Sequence, residues 1–187
     1  MWLNRNDTST LKLLTDTWPA VTPDSSTRQA VANILNIILA DEAVLSIKTR
    51  GALLSARGAD INDQHMLFEL QYKQLNVISD EILNRIRVLG VMPSGSFGEF
   101  LKNTRLEEKP GYAADIMHLL ADHETAIRFL REDAKKCSEE WEDQVTHDFL
   151  VAILRLHEKM AWMLRACIEP EMTQDESLRN KALPKQG

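Results

Sequence analysis

The sequence predicts an all-α chain folded as one four-helix bundle, with a long crossover between the second and third helices. Three observations lead there. Seven Gly and six Pro in 187 residues are few, and most lie near the ends or between long apolar-periodic stretches, so the middle has little punctuation for strands. Four stretches of roughly 25–30 residues each repeat apolar residues at helical spacing, the pattern of a helix that buries one face. The connection between the second and third stretches spans about 20 residues, which is long for neighbouring antiparallel helices and long enough to cross a bundle. A chain of this length favours one domain with a substantial core.

Residues 1–24 read as an irregular arm, because Trp18-Pro19, Thr22-Pro23 and many Ser and Thr interrupt any period. The first bundle helix starts near Ser25–Thr27, which offer N-caps, carries Val31, Ile34, Leu35, Ile38, Leu45, Thr49 and Leu53, and ends at Gly58. The second starts after Asn62 or Asp63, runs through Phe68, Tyr72, Leu75, Ile78, Ile82 and Ile86, and ends at Gly90. The crossover holds a short helix through Phe97, Phe100 and Leu101, and Lys109-Pro110-Gly111 breaks the chain again. The third helix carries Ile116, Leu119, Leu120, His123, Ile127 and Leu130; the fourth carries Val145, Phe149, Ile153, Leu156, Met160 and Met163 and closes at Glu169-Pro170. The bundle is thus expected over residues 25–169, and residues 170–187 as a flexible polar tail.

Composition narrows the function. A net charge of −6 disfavours a generic nucleic-acid binder and permits cation binding. Two cysteines, Cys137 and Cys167, are too few and too far apart for a metal knuckle and suit a reducing cytosol, so a cytoplasmic location is expected. No membrane span is expected: the best apolar run, Val31–Leu45, is interrupted by Asn33, Asn36, Asp41 and Glu42. No nucleophile triad or phosphate loop supports an unrelated bundle enzyme.

Several motifs resemble the Dps family of miniferritins: Lys48-Thr49-Arg50, Gly58, His65, Phe68-Glu69 and Tyr72, then Asp80-Glu81-Ile82, Arg85-Ile86 and Leu89-Gly90. Pro93-Ser94-Gly95-Ser96-Phe97 with Glu99-Phe100-Leu101 resembles the family's short middle helix. Leu119 to Glu124, Leu130-Arg131-Glu132 and the run from His157 to Ala166 are similar to its third and fourth helices. The resemblance covers roughly residues 30–168 and implies a ferritin-like bundle, a hollow homo-oligomer of twelve subunits built from two-fold dimers, and a ferroxidase that oxidises Fe(II) with peroxide or oxygen and stores the ferric product.

The implied oxidation site takes two His and three carboxylates. His65, Glu69 and Asp80 match it; Leu53 stands where the first His belongs, Leu54 where a Trp usually follows, and Asn84 where a Glu belongs. His65 and Glu69 lie four apart and share a helix face. Asp80 is 15 residues on, ~22 Å along a helix at ~1.5 Å per residue, so only a second, antiparallel copy brings it to His65. A neutral Asn oxygen is a weaker ligand for a hard cation than a carboxylate, and slow oxidation is expected. The acidic run Glu139, Glu140, Glu142, Asp143 and Asp148 stabilises a helix start; in the family this stretch lines a three-fold cation pore, with Glu139, Asp143 and Asp148 as the candidates here. Asp115-x-x-His118 reads as a solvated helix face, and His123 and His157 as core or interface histidines. DNA compaction is the competing role. The first 27 residues carry a net −1 and the last ten a net +3, so DNA is not the favoured partner.

Overall fold

The structure, a computed structural model, describes residues 24–56 and 61–182, with side chains to residue 168. The expected N-terminal arm, Gly58 and the last five residues lie outside the described residues. Among the described residues there are five helices and no strands.

Helix α1 spans Ser25–Ser55. Its cap is Asp24, one residue before the Ser and Thr expected to supply it: Oδ1 accepts from the amides of Ser26 at 2.8 Å and Thr27 at 3.1 Å. These bonds, with the Ser26 and Thr27 hydroxyls, lower the Asp24 carboxyl to about 2. A carboxylate outcompetes a hydroxyl here because it is both acceptor and anion at the positive end of the helix. Helix α2 spans Ile61–Val88, beginning slightly before the expected start. Gly90 follows in the left-handed region, φ 81°, and the amides of Gly90 and Val91 return to the carbonyls of Arg87 and Ile86, which satisfies the helix end.

The crossover carries α3, Phe97–Asn103, opened by a reciprocal Ser96–Glu99 capping box. Helix α4 spans Ile116–Glu139 with Asp115 as its cap. Helix α5 spans Gln144–Ala182 and runs on through Pro170, where the sequence predicts closure. One proline removes one amide donor, but helix formers such as Met172, Gln174, Leu178 and Lys181 follow it, and the backbone stays helical.

Helices α1 and α2 form one hairpin, and α4 and α5 the other; α1 also touches α3 and α4. Between them Leu35, Ile38, Leu45, Leu75, Ile78, Ile82, Leu119, Leu130, Leu150 and Leu164 lie at 0–1 % exposure. Each such side chain contributes about 1.5–3 kcal/mol of burial. Helix α1 is long and apolar enough to cross a membrane, yet most of its apolar stretch is buried against its neighbours: it is the core helix of the bundle.

Arg105 pins the crossover. Its Nε donates to Asp41 Oδ2 of α1 at 2.8 Å and its Nη1 to Asp133 Oδ2 of α4 at 2.7 Å, with the guanidinium 4.2 Å from the centre of the Phe129 ring. Burial pushes the Asp133 carboxyl up, and Arg105 opposes it.

Candidate metal-handling surfaces

The buried side of α2 is Leu67, Phe68, Gln71, Leu75, Ile78, Ile82 and Ile86. The opposite side follows from the same period. Met66, Leu70, Lys73, Val77, Asp80, Asn84 and Val88 recur every three or four residues and are all exposed, with His65 exposed and Glu69 half-buried beside them. Met66 is 69 % exposed, Leu70 54 % and Val77 50 %. Apolar side chains thus stand open among the polar residues singled out from the sequence.

His65 and Glu69 share one end of this face; Asp80 and Asn84 lie at the other. Among the described residues no group of three or more His, Cys, Asp or Glu surrounds a point where a metal ion would sit. Lys73, which the sequence reading passed over, places Nζ 2.7 Å from Glu69 Oε1. Its hydrogen bond and charge lower the Glu69 carboxyl below its ordinary range, with a smaller contribution from His65. Leu53 is half-buried and packs against the core.

At the start of α5 the three acidic candidates separate. Glu139 ends α4, exposed, with Lys135 at 3.7 Å. Asp148 is exposed; its Oδ1 accepts from Gln144 Nε2 and lies near His147 Nδ1, both at 2.9 Å, and these bonds lower its carboxyl. Asp143 does not share their face. It is 4 % exposed, accepts from the Thr146 amide at 3.0 Å and pairs with Arg85 of α2 at 3.3 Å. An acid directly before a helix whose side chain reaches the third residue on is a cap, and an arginine across the bundle holds it inward.

Inside the bundle lies a polar layer that spacing did not reveal. His157 of α5 places Nε2 2.8 Å from Glu42 Oε1 of α1 and Nδ1 3.0 Å from His123 Nδ1 of α4. His123 and His157 are 0 % exposed and Glu42 1 %. Burial, then the neighbouring His157, holds the His123 imidazole well below its ordinary value. Both histidines are therefore core residues. The available signal was Glu42 itself: a carboxylate inside an apolar helix must find a partner or leave the core. Helix α2 adds Gln71, 1 % exposed, whose Nε2 donates to the Met160 carbonyl at 3.1 Å, one turn along α5 from His157.

Comparison with known proteins places these surfaces in context. A ferritin-like domain model matches residues 32–171. A low temperature-induced protein of Nostoc sp. is 38 % identical over 146 residues, 76 % of this chain and 82 % of its own length. A DNA protection during starvation protein of Bacillus anthracis is 30 % identical over 139 residues, 73 % of this chain and 94 % of its own. The crystal structure of the Dps protein from Vibrio cholerae O1, described as a ferritin-like diiron-carboxylate protein, superposes with a TM-score of 0.73 at 27 % identity, over 80 % of this chain and 95 % of that one.

Proposed function

The chain belongs to the ferritin-like family, as a Dps-type miniferritin, and from that premise we propose that it is one subunit of a hollow homododecamer that stores iron as ferric mineral and protects against peroxide. One observation carries the reading: the outer face of α2 sets His65, Glu69 and Asp80 among open apolar side chains. Such a face asks for a second copy, since exposed apolar surface and an incomplete donor set are both resolved by a two-fold pairing. Paired antiparallel, two α2 helices bring His65 and Glu69 of one subunit to Asp80 and Asn84 of its partner. Size-exclusion chromatography with light scattering is expected to give about twelve subunits; monomers or dimers alone at neutral pH would rule the cage out.

The same face supports slow oxidation. Leucine at 53 offers no donor, Asn84 is a neutral oxygen, and Lys73 sets a fixed positive charge against Glu69, in competition with an incoming cation. Iron storage therefore runs with a weak oxidation step at the dimer interface. In anaerobic Fe(II) loading followed by peroxide or oxygen, the double change Leu53→His with Asn84→Glu is expected to raise the initial rate. Prompt oxidation of two Fe(II) per subunit by the unaltered protein would place the chemistry elsewhere.

For cation entry we retain Glu139 and Asp148, which stand in solvent at the α4–α5 corner. Around a three-fold axis they gather up to six carboxylates, and converging like charges concentrate cations locally. Asp143 serves that mouth as the cap that fixes the start of α5.

A further inference from the structure

We propose that the buried line Glu42–His157–His123 is an acid-sensitive latch between the two hairpins: one added proton opens the seam locally, inside a single subunit. The latch needs no change at any face between subunits, so it stands whether or not the chain assembles as a cage.

The first ground is where the line lies. Each hairpin is held within itself far more extensively than it is held to the other, so the seam between them is the weaker join. Glu42 belongs to the first hairpin, His123 and His157 to the second, and the contact of Glu42 Oε1 with His157 Nε2 at 2.8 Å crosses the seam. One turn to either side on the three helices stand Ile38 and Leu45, Leu119 and Ala126, and Ile153 and Met160, all buried. The line is thus a polar layer set in an apolar core, where a lost partner is not replaced by water.

The second ground is proton counting. Two facing ring nitrogens form a hydrogen bond only when one is an N–H and the other is bare, and the two Nδ1 atoms face each other at 3.0 Å. A further proton has three places to go. Protons on both Nδ1 atoms set donor against donor. His123 Nε2 and Glu42 Oε2 are the other two places, and neither has a hydrogen-bond partner. Wherever the proton settles, one buried N–H or O–H is left without an acceptor, and the cost is relieved when the layer reaches water.

The third ground is the surroundings of His123. From α5 it faces His157, with Glu42 of α1 beyond that ring. Helix α2 adds only Gln71, which is uncharged and donates to the Met160 carbonyl. The charged residues beside the line turn elsewhere: Asp41 to Arg105, Asp122 to Lys48 and Glu124 to Arg165. None of these compensates a charge on His123, and burial, then His157, holds its imidazole well below 6.5. The closed form therefore binds fewer protons than the open form, and opening grows as pH falls below the open-state value. A histidine that stays neutral when closed and has an ordinary value when open raises the opening constant by about 30-fold at pH 5. Lys48–Asp122 and Arg85–Asp143 tie the hairpins together at other levels, which keeps the opening local.

The test is amide hydrogen exchange of the full-length protein at pH 7.5, 6 and 5, read by mass spectrometry and corrected for the intrinsic pH dependence of exchange. Peptides that carry Glu42, His123 and His157 are expected to open about tenfold or more between pH 7.5 and 5, and residues 82–88 at the end of α2 to change far less. His123→Phe is expected to remove the gain. A gain that arises at a subunit face survives that variant, so a gain of equal size in His123→Phe would overturn the proposal. Equal opening at pH 7.5 and 5 in the unaltered protein would overturn it as well. If His123→Phe does not fold, hydrogen exchange at the ring carbon between the two nitrogens of His123 decides, measured on the unaltered protein. Its titration midpoint is expected well below 6.5, and a midpoint at or above that value would end the proposal.

Discussion

Two histidine–carboxylate groups in this molecule meet opposite environments. On the outer face of α2, His65 is exposed and Glu69, half-buried, has taken Lys73 as its partner. Between α1 and α5, Glu42 and His157 make their contact at 1 % and 0 % exposure. Outside, water stands in for any missing partner, so residues can be lost with little cost to the fold. Inside, each group depends on the next, and removal of one leaves another unpaired. The comparison separates residues that water can satisfy from residues that the fold itself must satisfy.

The largest expected effect comes from breaking the interior group. His157→Ala leaves Glu42 and His123 without their shared partner, and the cost is about 3–5 kcal/mol; His65→Ala is expected to stay within about 0.5 kcal/mol. Denaturant unfolding of both variants tests the contrast, and equal losses would erase it.

A smaller effect sharpens it in acid. The groups facing His123 are His157 from α5 and, beyond it, Glu42 from α1. Burial and His157 hold His123 well below 6.5, so the folded state binds fewer protons there than the unfolded chain. That contribution is complete above about pH 6.5 and is lost progressively as pH falls toward the lowered folded value. Unfolding midpoints between pH 7.5 and 5 are expected to decline, and His123→Phe should flatten the decline.

The corner between α4 and α5 repeats the contrast on a smaller scale. Asp143→Asn weakens the cap and the Arg85 pair and is expected to cost about 1–3 kcal/mol. Asp148→Asn is expected to leave the unfolding midpoint unchanged and to slow iron-core growth at fixed low salt, an effect that added salt reduces. An unchanged uptake rate in an intact Asp148→Asn cage would leave Asp148 as a helix-start residue alone.

The bundle was legible in the sequence because helical period is local: the stripe from Val31 to Leu53 and the stripe from Phe68 to Ile86 each announce their buried face within one element. His65, Glu69, Asp80 and Asn84 were singled out by the resemblance alone; that they share the exposed side of α2 follows from the same helical period. Three features were not. The inward turn of Asp143 depends on Arg85, 58 residues away; the resemblance and the spacing put it with Glu139 and Asp148. The pairing of Glu42 with His157 spans 115 residues. The passage of α5 through Pro170 depends on what flanks the proline, whereas the residue itself signals a stop.

Arg105 carries a consequence for the lifetime of the folded subunit. Its two carboxylate partners lie 64 and 28 residues away in the chain, on helices from different hairpins. Its guanidinium is satisfied only after α1, α4 and the crossover have met, and contacts that close such long loops form late. Bonds absent from the folding transition state leave the folding rate nearly untouched and slow unfolding. Arg105→Ala is therefore expected to speed unfolding of the bundle while leaving its folding rate nearly unchanged.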